Sequence, residues 1–326
     1  MTTPHEGGAS AQPLAVTRFS EQLMYEAAHL YYRQDATQAD IADRLATSRA
    51  TVSRLLSEAR RTGIVRIEVI APREADDEAL AERCARLLGL ERVWLAPAAD
   101  EPFVGSALAP RLSEALTAAE LRPGDVLLVA SGRTVYEAAR AGLPSLPGVV
   151  VAPAVGGQEE PEAWYQSNEI TREVAARIGG RPTFLYAPAL PSPDLHRILL
   201  DEPTIRRVLG LWRDARCAVL GIGAPPLTRV SISASIPTDA VALRDAVGDI
   251  CLRFFDKAGR PVNFPGSDRM MSTSLELLRS VPTTIAVAAG PTKVASILAA
   301  ARAGYVCQLV TDRSTASALV HLASAQ

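Results

Sequence analysis

Four short runs, at residues 126–130, 149–152, 218–222 and 285–288, are almost wholly apolar, and amphipathic stretches separate them. A strand with water on one face alternates apolar and polar side chains, so a run without polar members has both faces covered. Short strands of that kind interleaved with amphipathic helices fit a parallel sheet layered between helices. From residue 72 onward the chain therefore reads as one large, Rossmann-like α/β domain, residues 72–326.

The segment before it follows a different period. Phe19, Leu23, Ala27, Leu30 and Tyr31 recur three or four residues apart and predict a first helix over 19–33. Thr37 with Asp40 three residues on predicts the cap of a short second helix, with Ile41, Ala42 and Leu45 facing inward. Ala46 and Thr47 make the turn. Ser48 caps a third helix to about residue 61, with Val52, Leu55 and Leu56 inward and Gly63 as the stop. Residues 64–70 are β-rich and close a winged-helix-like module over 19–71. Residues 1–18 are small and polar and read as a disordered leader, and the acidic stretch around 72–77 reads as the interdomain linker.

Two helices that cross steeply need a small residue at their contact and an apolar lock behind the turn. Ala42 is that contact, Ala46 stands where glycine is usual, and Val52 with Leu55 is the lock, so the module reads as a helix-turn-helix. Its third helix turns Arg49, Ala50, Ser53, Arg54 and Ser57 outward. Arginine can pair bidentately with guanine, while Ser48, Thr51 and Ser53 are short enough to donate to phosphate oxygens. The formal net charge is only -2, so affinity for a double-stranded DNA operator has to be local. Arg44, Arg49, Arg54, Arg60, Arg61 and Arg66 against Glu58 alone supply that surface. An ordinary helical hairpin explains any one of these arginines, but not small contact, turn, lock and basic cluster together.

Several separated segments resemble the SorC family of sugar-responsive bacterial regulators (SorC/DeoR type): TQADIADRLATSRATVSRLLSEAR, VLLVASGRT, AVGDICLRFFDKAGRPV, AVAAGPTKVASILAAARAG and LVTDRSTASALV. The resemblance runs from about residue 21 to the C-terminus. It implies an effector domain related to sugar-phosphate isomerases, self-association to dimers or tetramers, and a small sugar or sugar-phosphate effector. It also implies that Lys293 lies in the effector pocket and that residues 246–262 form an effector loop.

The same segments can be read physically. Ser131, Gly132, Arg133 and Thr134 follow a buried strand and open a helix, where free N–H groups and the positive dipole end favour an anion. The alternative is a plain loop capped by Ser131. Gly290, Pro291, Thr292 and Lys293 repeat this logic, and a lysine at a positive helix end is unhelpful unless an anion is near. Asp249 is a candidate acceptor for two sugar hydroxyls. Phe255 packs either on a sugar's apolar face or in the core. Gly156 and Gly157, like Gly221 and Gly223, mark loops where backbone can approach a ligand. Arg133 and Val155 depart from the family pattern, which argues against transferring any particular sugar.

Other classes find little support. Cys84, Cys217, Cys251 and Cys307 form no paired motif, and the four histidines do not join them at metal-ligand spacing, so no metal or other cofactor is expected. No apolar stretch is long enough to span a membrane and no secretory signal precedes the module, which predicts a cytoplasmic protein. The alternative is a sugar-phosphate isomerase-like enzyme with an appended DNA-binding domain, in which Asp249 and Lys293 would serve as base and electrophile. The regulator, not an enzyme, is the expected reading.

Overall fold

The structure, a computed structural model, describes residues 19–65, 75–97, 104–229, 233, 236–237 and 240–325. The chain divides into two compact units, residues 1–72 and 73–326.

The first unit holds three helices, α1 (Glu21–Arg33), α2 (Gln38–Arg44) and α3 (Arg49–Arg61). Thr37 and Asp40 form a reciprocal capping box: Asp40 Oδ2 accepts the Thr37 N–H at 3.0 Å and Thr37 Oγ1 accepts the Asp40 N–H at 3.3 Å. The Thr37 hydroxyl, which donates to Asp40 Oδ2 at 2.7 Å, and the Thr37 N–H together hold the Asp40 carboxyl below its ordinary range. Ser48 Oγ accepts the Thr51 N–H at 3.1 Å and starts α3. Between α2 and α3, Ala46 adopts a left-handed φ of 47°, the conformation that makes glycine usual there.

Met24, Ala27, Ile41, Val52, Leu55 and Ala59 are fully buried at the centre of this unit. The apolar stripe expected on α1 is displaced. Met24, Ala27 and Ala28 form its buried line, while Phe19, Leu23, Leu30 and Tyr31 lie half-covered around it. Small side chains at 27 and 28 let α3 approach α1 closely, so closest contact rather than bulk sets the buried face. Ile64 and Val65 pack against the same core. The rest of the expected strand, residues 66–70 with Arg66, lies outside the described residues, as do the expected leader over 1–18 and positions 72–74.

In the second unit the elements run α4 (Ala75–Leu88), β1 (Arg92–Ala96), α5 (Val104–Ala118), β2 (Val126–Val129), α6 (Arg133–Ala141), β3 (Val150–Pro153), α7 (Ser167–Ile178), β4 (Arg181–Pro182), α8 (Pro193–Asp201), α9 (Pro203–Arg213) and β5 (Ala215–Gly221). They continue through β6 (Ala246–Ile250), β7 (Arg253–Asp256), β8 (Pro261–Val262), α10 (Leu275–Ser280), β9 (Thr283–Val287), α11 (Val294–Arg302), β10 (Gln308–Asp312) and α12 (Arg313–Ser324). Residues 75–77, expected in a linker, instead open α4. Asp76, Asp77 and Glu78 fall in its first turn, where carboxylates face the positive end of the helix dipole.

Seven strands pair in parallel in the order β1-β10-β9-β5-β2-β3-β4. Alternate residues serve opposite faces. Leu127 and Val129 pack with Leu112 of α5, Val135 of α6 and Val174 of α7. Val126 and Leu128 join the core built by Leu88 of α4, Val208 of α9, Ile297 of α11 and Leu319 of α12. Both faces are thus covered, which is why β2 carries no polar side chain. A separate antiparallel sheet, β6-β7-β8, holds the segment expected as an effector loop.

Candidate DNA interface and effector crevice

On α3, Arg49, Ala50, Ser53, Arg54 and Ser57 are exposed, opposite the buried Val52, Leu55, Leu56 and Ala59. Ser48 and Thr51 are joined through their hydroxyls at 2.9 Å, so part of their capacity is spent on the cap. Ser57 Oγ accepts from Arg60 at 3.2 Å, and Arg61 binds Glu58 through Nε at 3.0 Å. That pairing holds the Glu58 carboxyl below its ordinary range. Arg49 and Arg54 make no ion pair among the described residues, which leaves the N-terminal half of α3 with two uncommitted guanidinium groups of the type that reads guanine edges.

In the second unit the strand order places β3 on one side of β2 and β5 on the other, with β9 beyond β5. Chain leaving β2 therefore turns away from chain leaving β5, which makes their C-terminal ends the topological switch point, the usual ligand position in such sheets. The loops that border it are close: a methyl group on Gly221 would sit 3.8 Å from the Ser131 carbonyl oxygen.

One wall is the β2–α6 turn. Ser131 Oγ accepts from the Gln158 amide at 2.9 Å. Gly132 caps α6 at φ 137°, reachable essentially only by glycine, and donates its N–H to Trp164 O at 2.8 Å. That N–H, expected to face an anion, is committed within the protein. Arg133 binds Glu137 at 2.7 Å and lies over the Trp164 ring, while Thr134 stands half-buried in the first turn of α6.

The opposite wall joins the β5 loop, β6 and α11. Gly223 donates its N–H to Asp249 O at 3.0 Å, and a methyl group on it would collide with the Arg229–Asp249 ion pair. Gly248 is wedged between Ser296 of α11 and the Gly223 carbonyl. Lys293 ends the 3-10 turn Pro291–Lys293 and is half-buried at the start of α11, whereas the Gly290 N–H goes to Thr315 Oγ1 at 2.8 Å.

Three expectations change here. Asp249 does not present two vacant carboxylate oxygens: Oδ1 receives Arg229 and Oδ2 the Leu252 N–H at 3.0 Å. Phe255 is fully buried against Tyr305, so it is a core residue and cannot lie on a sugar. Gly156 is close-packed for a protein reason, because a methyl there would meet Ala187 O at 2.6 Å, while Gly157 has room. Arg229, Gln158 and Trp164 join the site without having been singled out; their partners lie 20, 27 and 32 positions away, and no local pattern marks them.

The Asp249 carboxylate also pins a strained turn. Cys251 and Leu252 connect β6 to β7 with left-handed φ values of 52° and 62°, and both are buried. A two-residue hairpin of this type normally carries Asn-Gly, so its bulkier occupants persist only because the surroundings fix them. Among the described residues no three His, Cys, Asp or Glu side chains gather as a metal site, and no helix is long and apolar enough to cross a membrane.

A helix-turn-helix unit with a basic, exposed third helix, carried on a chain whose second unit is built on a parallel sheet with a topological switch point, defines the architecture of a DNA-binding regulator with a separate α/β domain. Residues 73–321 match the sugar-binding domain family, and residues 18–74 match the Crp-like helix-turn-helix domain. The deoxyribonucleoside regulator of Bacillus subtilis is 32% identical over 311 residues, covering 93% of this chain and 99% of that one. The sorbitol operon regulator of Klebsiella pneumoniae is 30% identical over 320 residues, covering 92% and 98%. Its full-length crystal structure superposes with a TM-score of 0.74 over 93% of this chain and 100% of that one, at 30% identity.

The chain belongs to the SorC/DeoR family of sugar-binding transcriptional regulators. It is a DNA-binding transcriptional regulator, and the proteins it resembles are regulators rather than enzymes. The isomerase alternative also lacks its base, since the Asp249 carboxylate is held by Arg229 and Leu252.

Proposed function

We propose that Ser48, Arg49, Ala50, Thr51, Ser53, Arg54 and Ser57 contact operator DNA, and that a small sugar or sugar phosphate bound in the crevice controls that contact. The domains are 19–71 for DNA and 72–326 for effector and assembly. The protein works in the cytoplasm as a dimer or tetramer, because one small helix-turn-helix buries too little DNA surface for high specificity. What supports the effector reading is the strand order, which sets the Ser131–Thr134 turn after β2 against the loop after β5 at one switch point, with Gly221 close to the Ser131 carbonyl oxygen and the Arg229–Asp249 pair beside Gly223. Gly157 borders it, whereas Phe255 and Gly156 act from the packing behind.

A thermal-shift screen of the full chain against sugars, polyols and their phosphate esters tests this. A true effector raises the melting temperature, since it binds only the native state, and changes operator affinity in a gel shift. Lys293→Ala and Thr134→Ala should weaken that ligand. No stabilising compound of these classes, or equal affinity in both variants, overturns the assignment.

A further inference from the structure

Asp77 and Arg313 both stand at helix starts, and only the aspartate suits its position. Asp77 lies in the first turn of α4 and faces the positive end of that helix's dipole, whereas Arg313 is the first residue of α12, where a cation is disfavoured. The Arg313 guanidinium binds the Asp77 carboxylate, 236 positions away in the chain, so the two helix starts are tied to each other. Their side chains remain 41% and 30% exposed. A pair so open to water adds little to stability, so stability does not account for an arginine at this helix start.

On one side the pair is anchored in the loop between β9 and α11. Asp312, the cap of α12, accepts the Thr315 N–H at 2.6 Å and the Ser314 hydroxyl at 2.8 Å, and the buried Thr315 Oγ1 accepts the Gly290 N–H at 2.8 Å. Gly290 leads into the turn that ends at Lys293, so the first turn of α12 and the Lys293 loop are bonded into one piece. On the other side stands α4, the first helix of the second unit and the next after α3 in the chain. Along Asp77, Ala81 and Ala85 it borders a cavity of about 400 Å³ whose other walls are β1 and Arg111 and Glu114 of α5. Close packing resists displacement, and this face of α4 lacks it.

We propose that the Arg313–Asp77 pair is a latch: it couples the Lys293 loop to α4, so that a displacement of the loop frees the start of α4 and changes the DNA affinity of the chain. A latch has to be weak enough to open, and a half-exposed pair is. Coupling also requires an element with two arrangements, for which the cavity beside α4 leaves room. That a ligand displaces the loop rests on the effector position proposed above; the latch between loop and helix does not.

Hydrogen exchange of the full chain, followed without any ligand, tests the latch. Arg313→Ala should speed exchange in the first two turns of α4 by about twofold or more, while the buried amides of β5, the reference for global stability, keep their wild-type rate. Thr315→Val removes the acceptor of the Gly290 N–H; it should speed the same α4 amides in the wild-type background and add nothing in the Arg313→Ala background. Asp77→Arg combined with Arg313→Asp restores the pair with its signs exchanged, and its α4 should exchange more slowly than in either single reversal. In gel shifts on a duplex that the wild type selects from a random pool, Arg313→Ala and Asp77→Asn should move the affinity in the same direction by about twofold or more. Additive effects of Thr315→Val and Arg313→Ala on α4, or wild-type DNA affinity in both latch variants, overturn the proposal. Coupled exchange and altered DNA affinity, with no stabilising sugar in the thermal-shift screen, would retain the latch and discard only the effector reading.

Discussion

Arg229 and Asp249, 20 positions apart in sequence, form an ion pair whose side chains are only 16% and 8% exposed. Arg229 also donates through Nε to Ala224 O at 2.6 Å, and Gly223 fits against the pair only because it lacks a side chain. A buried pair of this kind contributes little against an apolar substitute, but removing one partner strands the other charge. Asp249→Ala should therefore destabilise the second unit by about 3 kcal/mol, because it leaves Arg229 buried and the Leu252 N–H unpaired. Urea unfolding with circular dichroism reads this, and a loss below about 1 kcal/mol would show the pair to be solvated in solution.

The two adjacent glycines after β3 provide a sharper test of packing. A methyl on Gly156 would overlap Ala187 O and Pro188, whereas a methyl on Gly157 would lie 3.8 Å from its nearest neighbour. Gly156→Ala should cost about 1–3 kcal/mol through overpacking, and Gly157→Ala should be tolerated. Equal effects in matched unfolding curves would contradict the close approach of residues 154–158 to 187–189.

Much of this molecule can be read from its sequence, and the unread portion has a common cause. The three helices of the first unit are marked by local devices: Thr37 with Asp40, Ser48, Ala46 and Gly63 each act within four residues. β2, β3, β5 and β9 are legible because strands covered on both faces must be apolar. β1 and β10 are harder, since β1 begins with Arg92 and β10 runs from Gln308 to Asp312, whose carboxylate caps α12. The crevice is least legible. Ser131 and Gly132 stand out by their place after a strand, but Arg229, Gln158 and Trp164 acquire partners only through the sheet order. Asp249 drew notice as a carboxylate, while its commitment to Arg229 depends on a contact with no local signature.

Ala46 offers a stability test in the DNA-binding unit. Its left-handed backbone costs a non-glycine residue roughly 1–2 kcal/mol, and its side chain is exposed, so nothing is lost by removing the methyl. Ala46→Gly should slow hydrogen exchange of the α2 and α3 amides, with a gain of up to about 1 kcal/mol after the greater freedom of glycine in the unfolded chain is subtracted. Faster exchange in the variant would mean that the turn relaxes out of this conformation.

Arg49 and Arg54 should divide from Arg61 in operator binding. The first two are uncommitted on the exposed face of α3, and Arg61 is engaged with Glu58 near its C-terminus. Arg49→Ala and Arg54→Ala should each cost about 1–3 kcal/mol if the side chain meets a base edge, with specificity relaxed at one position. Arg61→Ala should change affinity far less. Gel-shift titrations at two salt concentrations separate base reading from phosphate contact, and unchanged affinity in both N-terminal variants would remove α3 as the reading helix.

The thiols report on the same architecture without any ligand. Burial pushes Cys217 and Cys251 up to about 12 and Cys84 to about 11, while Cys307, half-buried at the start of β10, is raised for the same reason. A raised pKa removes thiolate at a given pH, so at pH 8 a thiol at 12 is ionised in only about one molecule in ten thousand. Native protein treated with a disulfide reagent at pH 8 should therefore release one fast equivalent at most, from Cys307, and all four after unfolding. Cys251 carries a further expectation because it occupies the left-handed turn that Asp249 pins through Leu252. In Asp249→Ala that restraint is gone, and labelling of Cys251 should accelerate while Cys217, buried in β5, stays protected. Simultaneous exposure of both cysteines would point to global unfolding, and an unchanged Cys251 rate would mean that the turn is held by its packing rather than by the carboxylate.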